Sequence, residues 1–198
     1  MQEDFSTHQQ EVLKEVKNCR ICEKHLPLGP RPVFSIHSES KILLIGQAPG
    51  TKVHATGIPW NDPSGDELRR WLQVDREVFY NPKIFGILPM GLCYPGRGKG
   101  GDLPPRPECA SHWHSLLREL MPKVQLTLLI GSYAQKYYLG ENSMRTLTET
   151  VRNFEFYLPE FFPLVHPSPR NRLWMRRNSW FEEKVIPELR ARIFPFLP

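Results

Sequence analysis

The sequence predicts a three-layer α/β/α fold with a central, mainly parallel four-stranded sheet, in one domain over residues 1–198. Three observations predict it. Four short, largely apolar runs recur along the chain, two of them stopped directly by glycine (Gly46 and Gly131), as strands buried on both faces are. Amphipathic stretches with helix-start signals separate them, the alternation that builds a parallel sheet with helices on both faces. The length of 198 residues and an apolar content of 40% suit one domain with a sizeable core.

The first helix falls at about residues 8–18 (HQQEVLKEVKN), where Val12, Leu13 and Val16 recur at helical spacing. Lys41–Ile45 (KILLI) is the first strand, ended by Gly46. Asp62–Val74 reads as a helix with Asp62 as cap, Pro63 in the first turn, and Ser64 and Glu67 at capping-box spacing. Ile84–Leu88 is the second strand and Glu108–Leu120 the next helix, closed by Pro122. Val124–Ile130 is the third strand, stopped by Gly131, and Ser132–Leu139 the helix after it. Thr146–Leu158 is read as helical, Phe161–Val165 as the fourth strand, and Asn178–Ile193 as a final helix opened by Ser179 and Glu182 at capping-box spacing. The Tyr137–Tyr138 pair and Phe154, Phe156, Phe161 and Phe162 are assigned to the core, and His112 and His114 to a solvated helix face.

Composition excludes several classes. No apolar run approaches the roughly 20 residues of a membrane helix. The N-terminus is polar and acidic where a signal peptide is basic and then apolar, so a cytoplasmic, membrane-free protein is expected. Proline, at 20 of 198, is about twice its usual share, so long helices cannot dominate. The net charge of +5 leans toward a polyanionic partner. Basic residues gather between Arg170 and Arg192 and in the loop carrying Arg97, Lys99 and Arg106.

In sheets of this kind ligands bind beyond the carboxyl ends of the strands. The loops to interrogate are therefore Gly46–Gly50, Pro89–Cys93, Gly131 onward and His166–Asn171. Cys19 and Cys22 form a C-x₂-C, and Cys93 and Cys109 lie fifteen residues apart in a Pro/Gly-rich loop. Four thiolates are the ligand set of a [4Fe–4S] cluster and of structural zinc, and both stay open beside plain buried thiols.

GQAPG (Gly46–Gly50), GIPW (Gly57–Trp60) and HPSPRN (His166–Asn171), in this order, resemble motifs of the uracil-DNA glycosylase superfamily. The first two are similar to GEAPG and GRPF of its iron–sulfur, family-4-like branch, as is the cysteine layout; the third is similar to the motif of the single-strand-selective monofunctional branch. The resemblance spans Cys19 to about Trp180. It implies an enzyme that flips uracil out of single- or double-stranded DNA and hydrolyses its N-glycosidic bond, the first step of base excision repair. It further implies a monomer with a [4Fe–4S] cluster on Cys19, Cys22, Cys93 and Cys109, zinc being the alternative.

Carried over by position, His166 is the hydrogen-bond donor to the leaving base and Gln47 the water-orienting residue. Gly46 and Ala48 shape the base pocket and Trp60 stacks on the base. Ser168, Arg170, Asn171 and Arg172 hold DNA, with Leu173 as wedge. The sequence departs from the family twice. Motif one has no acid, since Gln47 and Ala48 stand where the branches carry Glu or Asp. Pro89 stands where the iron–sulfur branch has a base-reading Asn, and Asn61 or the backbone of Met90 and Gly91 is expected to substitute. These departures favour an alternative reading, a non-catalytic lesion-binding module on the same fold. A third reading, from another class, is a metal or cluster protein with a redox or regulatory role and no DNA substrate.

Overall fold

The computed structural model describes residues 6–198. Four strands form one sheet: β1 (Ile42–Ile45), β2 (Phe85–Ile87), β5 (Leu126–Ile130) and β6 (Phe161–Leu164), in the order β2-β1-β5-β6. Every pairing in it is parallel, with Leu44 beside Ile87 and Leu128, and Leu128 beside Phe162. Pro163 lies on the outer strand β6, where its missing N–H costs no central ladder bond. Two further two-residue strands, β3 (Arg97–Gly98) and β4 (Gly101–Asp102), make an antiparallel hairpin inside the Cys93–Cys109 loop.

Strand side chains alternate between two faces, and each face has its own core. Ile42, Leu44, Leu128, Phe162 and Leu164 meet Leu68 and Trp71 of α3 (Pro63–Leu72) and Ile186 and Leu189 of α9 (Ile186–Ile193). Leu43, Ile45 and Leu129 point the other way, onto Leu13 and Val16 of α1 (Thr7–Lys17), Trp113 and Leu117 of α5 (Pro107–Glu119) and Ala134 of α6 (Ser132–Leu139). Burying such an aliphatic side chain stabilises by about 1.5–3 kcal/mol. The sandwich thereby fixes all four strand ends at one edge.

The helices differ from expectation where local chemistry competes. Ser6 caps α1 in a capping box with Gln9. On α3 the cap is Asp62 alone, and Glu67 instead binds Arg70 and the Trp71 indole. The segment expected as one helix over Thr146–Leu158 is α7 (Leu147–Arg152), capped by Thr146 and Glu149, followed by a separate 3₁₀ turn at Phe154–Tyr157. The final helix is broken too: a π turn at Phe181–Val185 precedes α9, and no capping box joins Ser179 to Glu182. Pro187 has no N–H to donate backwards, which favours a change of winding at that junction. Three short helices escaped the sequence pattern: α2 (Thr51–Thr56), α4 (Arg76–Phe79) and α8 (Arg172–Arg177). Phe156 and Tyr137, expected in the core, are 75% and 48% exposed. No helix among the described residues is long and apolar enough to cross a membrane.

Candidate active site

The loop after β1 (Gly46–Gly50) forms one wall of a small cavity. Val33, Val53, Pro59, Trp60, Asp62, Ile87 and Pro89 complete it. Trp60 sits in the left-handed backbone region (φ 56°), a conformation that strains a bulky residue and collects at functional sites. Two glycines make room for it. A Cβ on Gly46 would lie 2.7 Å from the Trp60 ring, and one on Gly65 would lie 1.8 Å from the Trp60 carbonyl oxygen. The ring also lies 5.6 Å from that of His166, inclined by 33°. Motif one, Trp60 and His166 therefore converge, although the chain separates them widely.

His166 and Gln47 line an adjoining cavity of about 250 Å³ with Gly131, Asn171 and Trp174. Gly131, at φ 88°, lets the chain turn beneath His166. The His166 carbonyl accepts from Asn171 Nδ2 at 2.8 Å, which fixes the loop. Among the described residues no group is hydrogen-bonded to the His166 ring itself. Burial pushes its pKa below the ordinary value against a smaller upward pull from the Asp62 carboxylate, so the imidazole is neutral near pH 7 and holds one N–H donor. The Gln47 amide donates from Nε2 to the Leu103 carbonyl at 3.2 Å, leaving Oε1 as its open acceptor.

Opposite motif one, the Pro89 carbonyl and the N–H groups of the two residues after it are engaged within the protein. The Pro89 carbonyl accepts from His114 Nε2 at 3.1 Å, and Met90 and Gly91 donate their N–H groups to the carbonyls of Gly46 and Gln47, each at 2.9 Å. Met90 and Gly91 thus have no backbone N–H left for a base, and only their carbonyls remain for the backbone reading expected of them. Asn61, beside Trp60, accepts on its Oδ1 from Arg76 at 3.2 Å. His114, expected at the surface, is buried with its Nδ1 on the Tyr138 hydroxyl at 2.6 Å, and desolvation lowers its pKa to about 4. Its polar sequence neighbours Ser111, His112 and Ser115 are exposed, so the local pattern hid its burial.

Ser168 Oγ caps the turn at Pro169–Asn171 by accepting from the Arg170 N–H at 3.3 Å. Arg170 reaches across to the hairpin, donating to the Gly100 carbonyl at 2.7 Å. Gly101 sits at φ 139°, a backbone conformation that favours glycine, and its bare Cα leaves room for that guanidinium. Arg172 is exposed at the start of α8 and Leu173 beside it is 55% exposed. Asp62 is the site residue that sequence reading missed as chemistry; its place two positions after Trp60 was a signal, hidden by its evident role as a helix cap.

The four cysteines are brought together. The Cys22 thiol feels Cys19, Cys93 feels both, and Cys109 feels all three. Burial, the main cause, raises the Cys93 pKa to about 11 and the Cys109 pKa to about 12, so bare thiols here stay protonated. Trp113 Nε1 donates to Cys19 Sγ and the Leu92 N–H to Cys109 Sγ, each at 3.2 Å. Such N–H···S bonds suit sulfurs that carry negative charge. Among the described residues no three His, Cys, Asp or Glu side chains draw close enough to grip one ion. Four neighbouring thiols, two of them with N–H donors, are the residues that could hold a thiolate-bound group, a [4Fe–4S] cluster or zinc.

A model of the Uracil DNA glycosylase superfamily matches residues 34–190, a span that runs from before β1 to α9 and takes in every loop of the site.

Proposed function

The chain belongs to the uracil DNA glycosylase superfamily, and on that premise we propose that it is a DNA glycosylase that excises uracil and so initiates base excision repair. The observation that carries the reading is the convergence of motif one, Trp60 and a neutral, unpartnered His166 at one sheet edge. Cleavage leaves an oxocarbenium-like sugar and a base departing as an anion. A preorganised donor aimed at that anion is the largest single aid such a site can give. The His166 N–H is suited to the base oxygen, and the open Gln47 Oε1 to a water or to a base N–H.

The cavity beneath Trp60 measures about 40 Å³, enough for one water and far less than a nucleobase. A flipped base must therefore displace the Trp60 ring from Gly46 and then stack on it, a contact worth about 1–3 kcal/mol. Arg172 and Ser168 face the phosphates and Leu173 enters the duplex. Cys19, Cys22, Cys93 and Cys109 hold a [4Fe–4S] cluster, which supplies a structural tie between the turn after α1 and the Cys93–Cys109 loop. The protein acts as a monomer in the cytoplasm, where cysteines are kept reduced and can serve as cluster ligands. A labelled oligonucleotide with a single uracil, treated with the protein and then alkali, tests the activity. Strand scission at the uracil is expected; an intact strand, with binding retained, favours a lesion-binding module.

A further inference from the structure

Motif one presents no carboxylate, yet a carboxylate lines the pocket. Asp62 stands in the same cavity wall as Gly46, Gln47, Ala48 and Trp60. Its Oδ1 accepts from the Gly65 N–H at 2.9 Å, which caps α3 and fixes the side chain in place. Among the described residues that is the side chain's one hydrogen bond, so Oδ2 has no partner. The carboxylate is near enough to His166 to act on its charge. The strained Trp60 precedes the cap and Gly65 after it packs on the Trp60 carbonyl, so the positions of Trp60 and Asp62 are set together.

We propose that Asp62 is a catalytic residue, the carboxylate that does the work motif one cannot do at Ala48. The inference rests on the glycosylase reading above. With Oδ1 anchored, Oδ2 is free to orient the hydrolytic water. The C1′–N bond breaks with its electron pair leaving on the base, where the His166 N–H receives the charge. The water oxygen bonds to C1′, and its proton passes to Asp62 and from there to solvent. Before that transfer the anionic carboxylate also faces the positive sugar. The pocket thus opposes a donor for the developing anion to a carboxylate for the developing cation, and their separation on different loops suits a charge-separated transition state.

Asp62→Asn tests this, because Asn caps a helix about as well as Asp and cannot take a proton. Single-turnover excision of uracil should fall by about 10²–10⁴, the usual contribution of a general base, with the melting temperature unchanged. In Asp62→Gly, which keeps most of the cap, added formate should restore part of the lost rate. If the wild-type protein excises uracil and Asp62→Asn does so within threefold of it, Asp62 is a cap only and the proposal is overturned. A wild-type protein that leaves uracil in place removes the glycosylase reading itself, and the two failures are told apart by that one control.

Discussion

At the scale of single residues, the site is set by burial more than by visible charge. His114 shows this most simply. It is 1% exposed, donates to the Pro89 carbonyl and accepts from Tyr138, so its imidazole is kept neutral. Its pKa in the folded protein is about 4 against an ordinary 6.5. As pH falls the unfolded chain takes up that proton first. The stability His114 contributes is therefore complete above about pH 6.5 and is lost as pH falls toward about 4, on the order of 3 kcal/mol in all. His54 and His166, also lowered by burial, act with the same sign. Urea midpoints across this pH range should fall steeply for the wild type and less for His114→Gln, which keeps a donor for Pro89; an identical slope would remove His114 from the account. Gln47→Ala is expected to slow excision less than loss of His166 does, since Gln47 orients a group and carries no charge. A larger defect in Gln47→Ala would reverse that order of roles.

Among the elements, the loop from Cys93 to Cys109 connects the cysteine centre to the site. Its hairpin is held by Arg170, and the Leu103 carbonyl just beyond it holds Gln47. Replacing Cys93 by Ser should lower iron content and melting temperature together, since the proposed cluster ties that loop to the turn after α1; full iron retention would take Cys93 off the ligand set. Arg170 and Arg172 should separate in their effects. Arg172→Ala should weaken duplex binding and reduce the slope of log affinity against log salt by about 0.9. Arg170→Ala should mainly speed amide exchange in β3 and β4, because its guanidinium is already on Gly100. Equal changes in salt slope for both variants would place Arg170 on the DNA instead. The elements legible in the sequence were those with a strong period. β1, β5, α5 and α6 fall within two residues of expectation because their apolar faces are continuous. α2 and α4, at six and four residues, are too short to show a period, and the π turn before α9 depends on where Pro187 sits against its neighbours.

For the molecule as a whole, an all-parallel sheet sealed on both faces delivers four loops to one edge, and every motif of the site lies on those loops or beside them. That convergence was readable, since strand ends follow from period and punctuation alone. Which side chains face inward was not. Asp62 and Asn61 are neighbours in sequence, yet one lines the cavity and the other turns to Arg76. His114 reaches the pocket floor from a helix on the far face of the sheet. Such outcomes depend on tertiary packing that no local pattern encodes. The central claim is that this architecture cleaves by stabilising the departing base, with His166 as the donor. It is tested most directly by the single-turnover rate of His166→Ala on a uracil-containing oligonucleotide. Loss of one such donor costs about 10²–10³ in rate, so the variant should slow by that factor while binding uracil-free DNA as the wild type does. Excision at the wild-type rate would contradict the claim even with the fold intact.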